Sequence, residues 1–189
     1  MTMFSKSHIT PSVFDRIKGL SFKDNCTVPL DTLMYLTVPH YNFDNKTEAG
    51  EIIVNTAIAD AVLDIFKELF EKRYPIEHIR LIDEYMADDD MSMEANNSSA
   101  FNFRTIAGTD RLSRHATGLA IDINPLYNPY VMGNVVQPQS GRPYVDRSLD
   151  FPHKITHDDD CFKAFSRHGF SWGGDWGDRK DYQHFEIAI

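Results

Sequence analysis

The chain is poor in cysteine. Its two cysteines, Cys26 and Cys161, stand far apart and in no C-x-x-C pair. That argues against a thiolate zinc site and leaves a single disulfide between them as an open option. Positive charge is also scarce: 19 Lys and Arg face 28 Asp and Glu, for a formal charge of −9. Binding to nucleic acid needs clustered cations for the phosphates, so that class is set aside. No apolar run approaches the ~20 residues of a membrane-spanning helix. Met1 to Leu20 holds no hydrophobic signal core, which leaves the compartment open. No internal repeat is visible.

What remains is ordinary for a globular chain. A hydrophobic share of 42% in 189 residues suffices to bury a core without disulfides. The length favours one domain, residues 1–189, with 1–47 as a less patterned N-terminal extension. Ser12–Ile17 predicts a short helix that Gly19 stops. Thr37–Tyr41 reads as extended, and Pro39 puts it at a sheet edge or end. Apolar residues at Ile53, Ala57, Ile58, Ala61, Val62, Ile65, Phe66, Leu69 and Phe70 follow a helical period. They predict one amphipathic helix from about Glu51 to Tyr74, ended by Pro75.

His78–Asp83 suits a strand. Met86–Ser99 faintly matches a calcium loop but lacks its glycine and its closing glutamate, so it reads as a solvated loop. Ala100–Arg104 alternates like a strand, with Asn102 and Arg104 on one face. Residues 131–155 are rich in Pro, Gly and polar groups and form a long excursion. Thr156 or His157 would cap a helix whose first turn is Asp158–Asp160 and whose end is Gly169. A tight aromatic turn, Phe170–Trp176, leads into a final strand, Lys180–Ile189. Helices and strands of this kind predict an α+β fold, an antiparallel sheet packed against helices.

Two stretches carry chemistry. In Leu119–Ile123 the aliphatics alternate with Ala120 and Asp122, which puts Asp122 over a groove. Gly118 allows a sharp turn that brings His115 back toward it. In the last strand Phe185, Ile187 and Ile189 point to the core, and His184, Glu186 and Ala188 the other way. If these strands pair, His184 and Asp122 face the same space. Catalytic zinc takes three ligands of this type and leaves one position open. His115, Asp122 and His184 are therefore the candidate zinc ligands. Glu186, on the His184 face, is a candidate hydrogen-bond partner for a ligand histidine. Ser113 and Trp172 are candidate substrate contacts, and Trp176 a further groove aromatic. Arg142 and Tyr144, in the excursion, are further candidate substrate contacts.

The pattern Ser113-x-His115-x-x-Gly118-x-Ala120-x-Asp122, followed by Asp181-x-x-His184, resembles the M15 peptidases. That family comprises zinc D-Ala-D-Ala carboxypeptidases, dipeptidases and L-alanyl-D-glutamate endopeptidases. Trp172–Trp176 and Asn96–Arg104 resemble it too, so the likeness covers roughly residues 48–189, and more loosely the segment from residue 30. The resemblance implies a hedgehog/DD-peptidase-like fold and zinc on His115, Asp122 and His184. It makes Asp181 the general base and Arg104 the cation that steadies the carbonyl oxygen or a substrate carboxylate. The dipeptidase branch has Glu where this chain has Asp181, which points away from a strict dipeptidase. The implied substrate is a peptidoglycan stem peptide or related small peptide, and the expected oligomeric state is a monomer. A rival reading is a non-catalytic, zinc-containing cell-wall or protein-binding module of the hedgehog-like fold.

Overall fold

Hydrogen bonding in the N-terminal half is dominated by one long hairpin. In the computed structural model, which describes residues 3–106 and 108–189, β1 (Ser5–His8) is followed by the helix α1 (Pro11–Ile17). Thr10 caps α1 through its hydroxyl, and Pro11 opens it. Then β2 (Leu33–Tyr41) and β3 (Thr47–Asn55) pair antiparallel over nine residues. Asn45, at φ 58°, turns the chain between them. Strand β1 adds to the other side of β2, but only from Met34 to Thr37. Pro39 lies beyond that reach, so the proline meets a partner strand on one side alone.

The predicted helix over 51–74 is half right. Its first part is β3, and the helix α2 spans Ala59–Glu71. Ile52, Ile53 and Val54 are β-branched and opposite Leu36, Tyr35 and Met34, and the hairpin partner decides their conformation. Asn55 ends the strand and accepts from the Ala57 N–H, which starts the helical run. Helix α2 buries Val62, Ile65, Phe66 and Leu69 in the main core.

The next segment is more structured than its composition suggests. Only β4 (His78–Ile79) of the expected 78–83 strand forms, and a 3-10 turn follows at Ile82–Tyr85. The expected solvated loop contains a short helix, α3 (Asp89–Glu94), whose N-cap Asp88 accepts from Met91 N–H. After it, β5 (Asn97–Ser98) pairs parallel with β4. Residues 100–104 are extended but unladdered. Phe101 and Phe103 are buried in a second cluster with Ile17, Leu33, Ile53 and Ala116.

The C-terminal part holds β6 (Ala120–Asp122), the hairpin β7 (Tyr130–Met132) and β8 (Val135–Gln137), and α4 (Asp160–Arg167). It closes with β9 (Ser171–Trp172), β10 (Lys180–Asp181) and β11 (His184–Glu186). The expected excursion thus contains a hairpin, and β10 adds to it through β7. The cap of α4 is Asp159 rather than Thr156 or His157. Its carboxylate accepts from the Cys161 and Phe162 N–H groups.

The last strand is broken in two. Ladder pairing stops at Glu186, and Ile189 is 73% exposed where alternation had placed it in the core. Cys26 and Cys161 are both free, and Cys161 is buried in the main core. The architecture is mixed, with small, mostly antiparallel sheets and few helices, as an α+β chain requires. Among the described residues no helix is long and apolar enough to cross a membrane.

Candidate metal centre

Strand β6 is the floor of the site. It pairs with β11 so that His184 stands opposite Asp122 and Phe185 opposite Ile121. On the other edge of β6, Ser99 exchanges both backbone hydrogen bonds with Asp122, at 2.9 and 3.1 Å. Asp122 is therefore held from two sides. Ile121 and Phe185 alternate into the core, which turns Asp122 and His184 to the opposite face.

His115 arrives by a turn. Ser113 caps the 3-10 turn Arg114–Thr117, with Oγ accepting from His115 N–H at 3.2 Å. Gly118 ends that turn at φ 69°. A β-carbon there would lie 2.6 Å from the Asn55 nitrogen, so both conformation and space demand glycine. The Gly118 carbonyl accepts from Asn55 N–H at 2.8 Å, which docks the turn on the end of β3. Ala100–Asn102 cradles the histidine: His115 Nδ1 lies 2.6 Å from Ala100 O, and Asn102 N–H donates to His115 O at 3.2 Å.

The three side chains converge. One ligand atom from each of His115, Asp122 and His184 lies within 4.8 Å of the others. His115 Nε2 is 3.2 Å from Asp122 Oδ2 and 3.2 Å from His184 Nδ1, which in turn is 3.0 Å from Asp122 Oδ1. The outward nitrogens are already engaged. With Ala100 O accepting from His115 Nδ1–H and Glu186 accepting from His184 Nε2–H at 3.2 Å, both inward nitrogens carry lone pairs. Two lone pairs and a carboxylate pointing at one another in a buried place call for a cation, so the donor set fits a metal ion.

The electrostatics agree. Burial alone would lower the His184 pKa, but hydrogen bonds to Asp122 and Glu186 outweigh it and push it up to about 10. Burial would likewise raise Asp122, yet the adjacent His115 and His184 hold it well below the usual carboxylate range. The cluster thus demands positive charge, whether from a proton or from a cation.

Asp181 sits beside the cluster. Burial, with the Asp122 charge, pushes its pKa up to about 7 against the pull of His184, His115 and Arg104. Its Oδ1 is buried and has no hydrogen-bond partner among the described residues. Its backbone is laid down by β10 pairing with β7, Asp181 opposite Tyr130. Gly173 packs against it, and a β-carbon there would come within 3.2 Å of His184 Cβ as well.

Arg104 forms an ion pair with Asp89 at the start of α3, and Asn102 Nδ2 donates to the same carboxylate at 3.0 Å. The expectation that Asn102 and Arg104 share a face therefore holds. Trp172 is 6% exposed and gives its indole N–H to Tyr182 O at 2.9 Å, the placement of a packing residue. Trp176 is the half-exposed aromatic beside the site, its ring centroid 5.3 Å from that of His184. Arg142 and Tyr144 lie in the excursion, Arg142 on Asn134 O and Tyr144 packed on Tyr127. Sequence patterning gave no sign of Gly173 or Asp89, because their roles depend on contacts between distant segments.

Residues 107–187 match the family model described as D-alanyl-D-alanine carboxypeptidase, an M15 peptidase family. No curated protein and no solved structure gives a significant match. The matched stretch contains His115, Asp122, Asp181 and His184, and Arg104 precedes it. The segment that carries the whole cluster and its neighbouring acid is thus the part of the chain that is similar to the M15 peptidases.

Proposed function

We propose that this protein is a zinc-dependent peptidase that hydrolyses an amide bond in peptidoglycan stem peptides, next to a D-amino acid. The observation that carries this reading is the convergence of His115, Asp122 and His184 beside a buried acid, inside the segment that matches the family. Either carboxypeptidase or endopeptidase action fits these parts. Residues 1–189 act as one domain of hedgehog/DD-peptidase-like fold. In support, β2 from the N-terminal part pairs with β3, and β3 carries the docking point for the His115 turn.

His115, Asp122 and His184 hold the ion, with one neutral nitrogen from each histidine. When bound, zinc polarises the scissile carbonyl and lets a water lose its proton near neutral pH. Asp181 takes that proton and passes it to the leaving amine. Its buried, unpartnered Oδ1 suits that work, because no competing donor has to be displaced. Glu186 fixes the tautomer and the ring plane of His184. Ser113 sets the turn that delivers His115, which supports a positioning role alongside any substrate contact. Arg104, held by Asp89, offers positive charge to the oxygen on which charge develops.

The test is amine release from purified peptidoglycan by wild type and by Asp181→Asn, with zinc content measured on both. The variant should keep stoichiometric zinc and lose hydrolysis. Full activity in Asp181→Asn would refute the base, and release that resists a chelator would refute the metal. Tight wall binding without release would favour a recognition module.

A further inference from the structure

A groove of about 490 Å³ runs between the Lys23–Thr27 segment and the chain around Arg104, lined by Lys23, Asn25, Thr27, Phe103, Arg104, Thr105 and Leu112. Two observations mark it as a binding surface. Its lining contains Lys23 and Arg104, the latter paired with Asp89 outside the lining, and among the described residues no carboxylate lines it, in a chain with nine more negative than positive charges. Lys23, half-buried, has no ion-pair partner among the described residues.

The rest of the lining suits an extended peptide. Asn25, Thr27 and Thr105 are exposed hydrogen-bonding side chains. Leu112 is 43% exposed, and Phe103 forms an apolar floor at 6%. The groove is also joined to the metal centre. The segment of Arg104 joins the two: its carbonyl accepts from Ser113 N–H at 3.0 Å, and Asn102 N–H donates to His115 O at 3.2 Å. A chain whose scissile carbonyl lies by Arg104 can therefore continue past it toward Lys23.

We propose that this groove is a substrate subsite for an acidic peptide segment, and that Lys23 selects for a carboxylate carried a few residues from the cleaved bond. The inference rests on the peptidase reading and names its substrate class. It also assigns a specificity role to a residue outside the stretch 107–187 that matches the family.

The experiment uses two synthetic stem-type pentapeptides that differ only in one glutamate or glutamine. Binding to the zinc-loaded Asp181→Asn protein is measured by calorimetry, and cleavage is measured with Asp181 intact. Wild type should prefer the glutamate peptide in both assays. Lys23→Met should weaken binding of that peptide about fivefold, the scale of a partly exposed ion pair, and bring the two peptides toward equality. Lys23→Arg should restore the preference. Because Lys23 is only half-buried, a thermal melt suffices to show that the variant folds.

If neither peptide is cleaved but the glutamate peptide binds in a Lys23-dependent way, the groove stands and the catalytic reading fails. If both peptides bind or are cleaved equally well in wild type, or neither binds, the groove assignment is wrong. An unchanged preference in Lys23→Met overturns it too.

Discussion

Gly173 and Asp181 touch so closely that a β-carbon on the first would lie 2.5 Å from the backbone oxygen of the second and 2.8 Å from its Cβ. Real β-carbons do not come that near, so Gly173→Ala must shift Asp181 relative to His115, Asp122 and His184, the proposed metal ligands. A displacement near 1 Å at a reacting group costs on the order of 100-fold in rate. The expected result is a fall in kcat of ~10- to 100-fold with zinc still bound, alongside ~1–3 kcal/mol of lost stability from overpacking. Steady-state kinetics and metal analysis on the same preparation check it. Wild-type kcat in the alanine variant would show that Asp181 is not set by this contact.

Asp159 caps α4 from a largely buried position, and burial pushes its pKa up to about 6 although two backbone N–H groups favour the charge. The folded state therefore holds a proton that the unfolded state releases near the ordinary aspartate value of 3.8. Stability from this group falls as pH rises from about 4 to about 6. Asp159→Asn keeps an accepting oxygen at the cap and removes the titration. Its melting temperature should vary less than wild type across that window and match or exceed it at neutral pH. A steeper pH dependence in the variant would contradict this account.

Arg147 is a half-buried cation with no carboxylate partner among the described residues. It donates to Tyr127 O at 2.9 Å, Asn128 Oδ1 at 3.0 Å and Ile155 O at 2.8 Å, and stacks over Tyr182 at 4.3 Å. Burial brings its pKa down to about 10, so it stays charged near neutral pH. It ties the excursion to the segment between β10 and β11. Arg147→Met takes the donor from the Tyr127 and Ile155 carbonyls, while Asn128 Oδ1 keeps the Ile155 N–H, and should cost about 3 kcal/mol, read by denaturant melts. Limited proteolysis should then cut first within residues 128–155. Arg147→Lys should rescue little, because an ammonium cannot span the fork. A neutral Arg147→Met would mean that the excursion is held by its aromatic packing alone.

The site was more legible in the sequence than the fold around it. Alternation in Leu119–Ile123 and in His184–Glu186 already set Asp122 and His184 on the faces that now meet, since two short half-buried strands leave little choice. The segment 51–74 was harder. Ile52–Val54 fits both periods, and only pairing with Leu33–Tyr41, invisible to a local pattern, makes it a strand. The polar run before Asn96 hid α3 for the opposite reason. Its stability comes from a cap at Asp88, the bond from Asn97 to Ser92, and the bonds that Asn96 and Asn97 accept from Leu126 and Arg80, not from an apolar stripe. The order expected at Ile189 failed because pairing ends at Glu186, and the last backbone tie runs from Ile187 N–H to Leu119 O.

The pairing of Asp122 with His184 joins positions 62 residues apart. An ion held there would act as a clasp on a long loop of chain, and closing such a loop removes freedom from the unfolded state as a covalent crosslink does. His115 and Asp122 alone, close in sequence, offer only a partial seat. Metal capture in a refolding experiment would then report the moment when β11 docks on β6 rather than the formation of the β2–β3 hairpin.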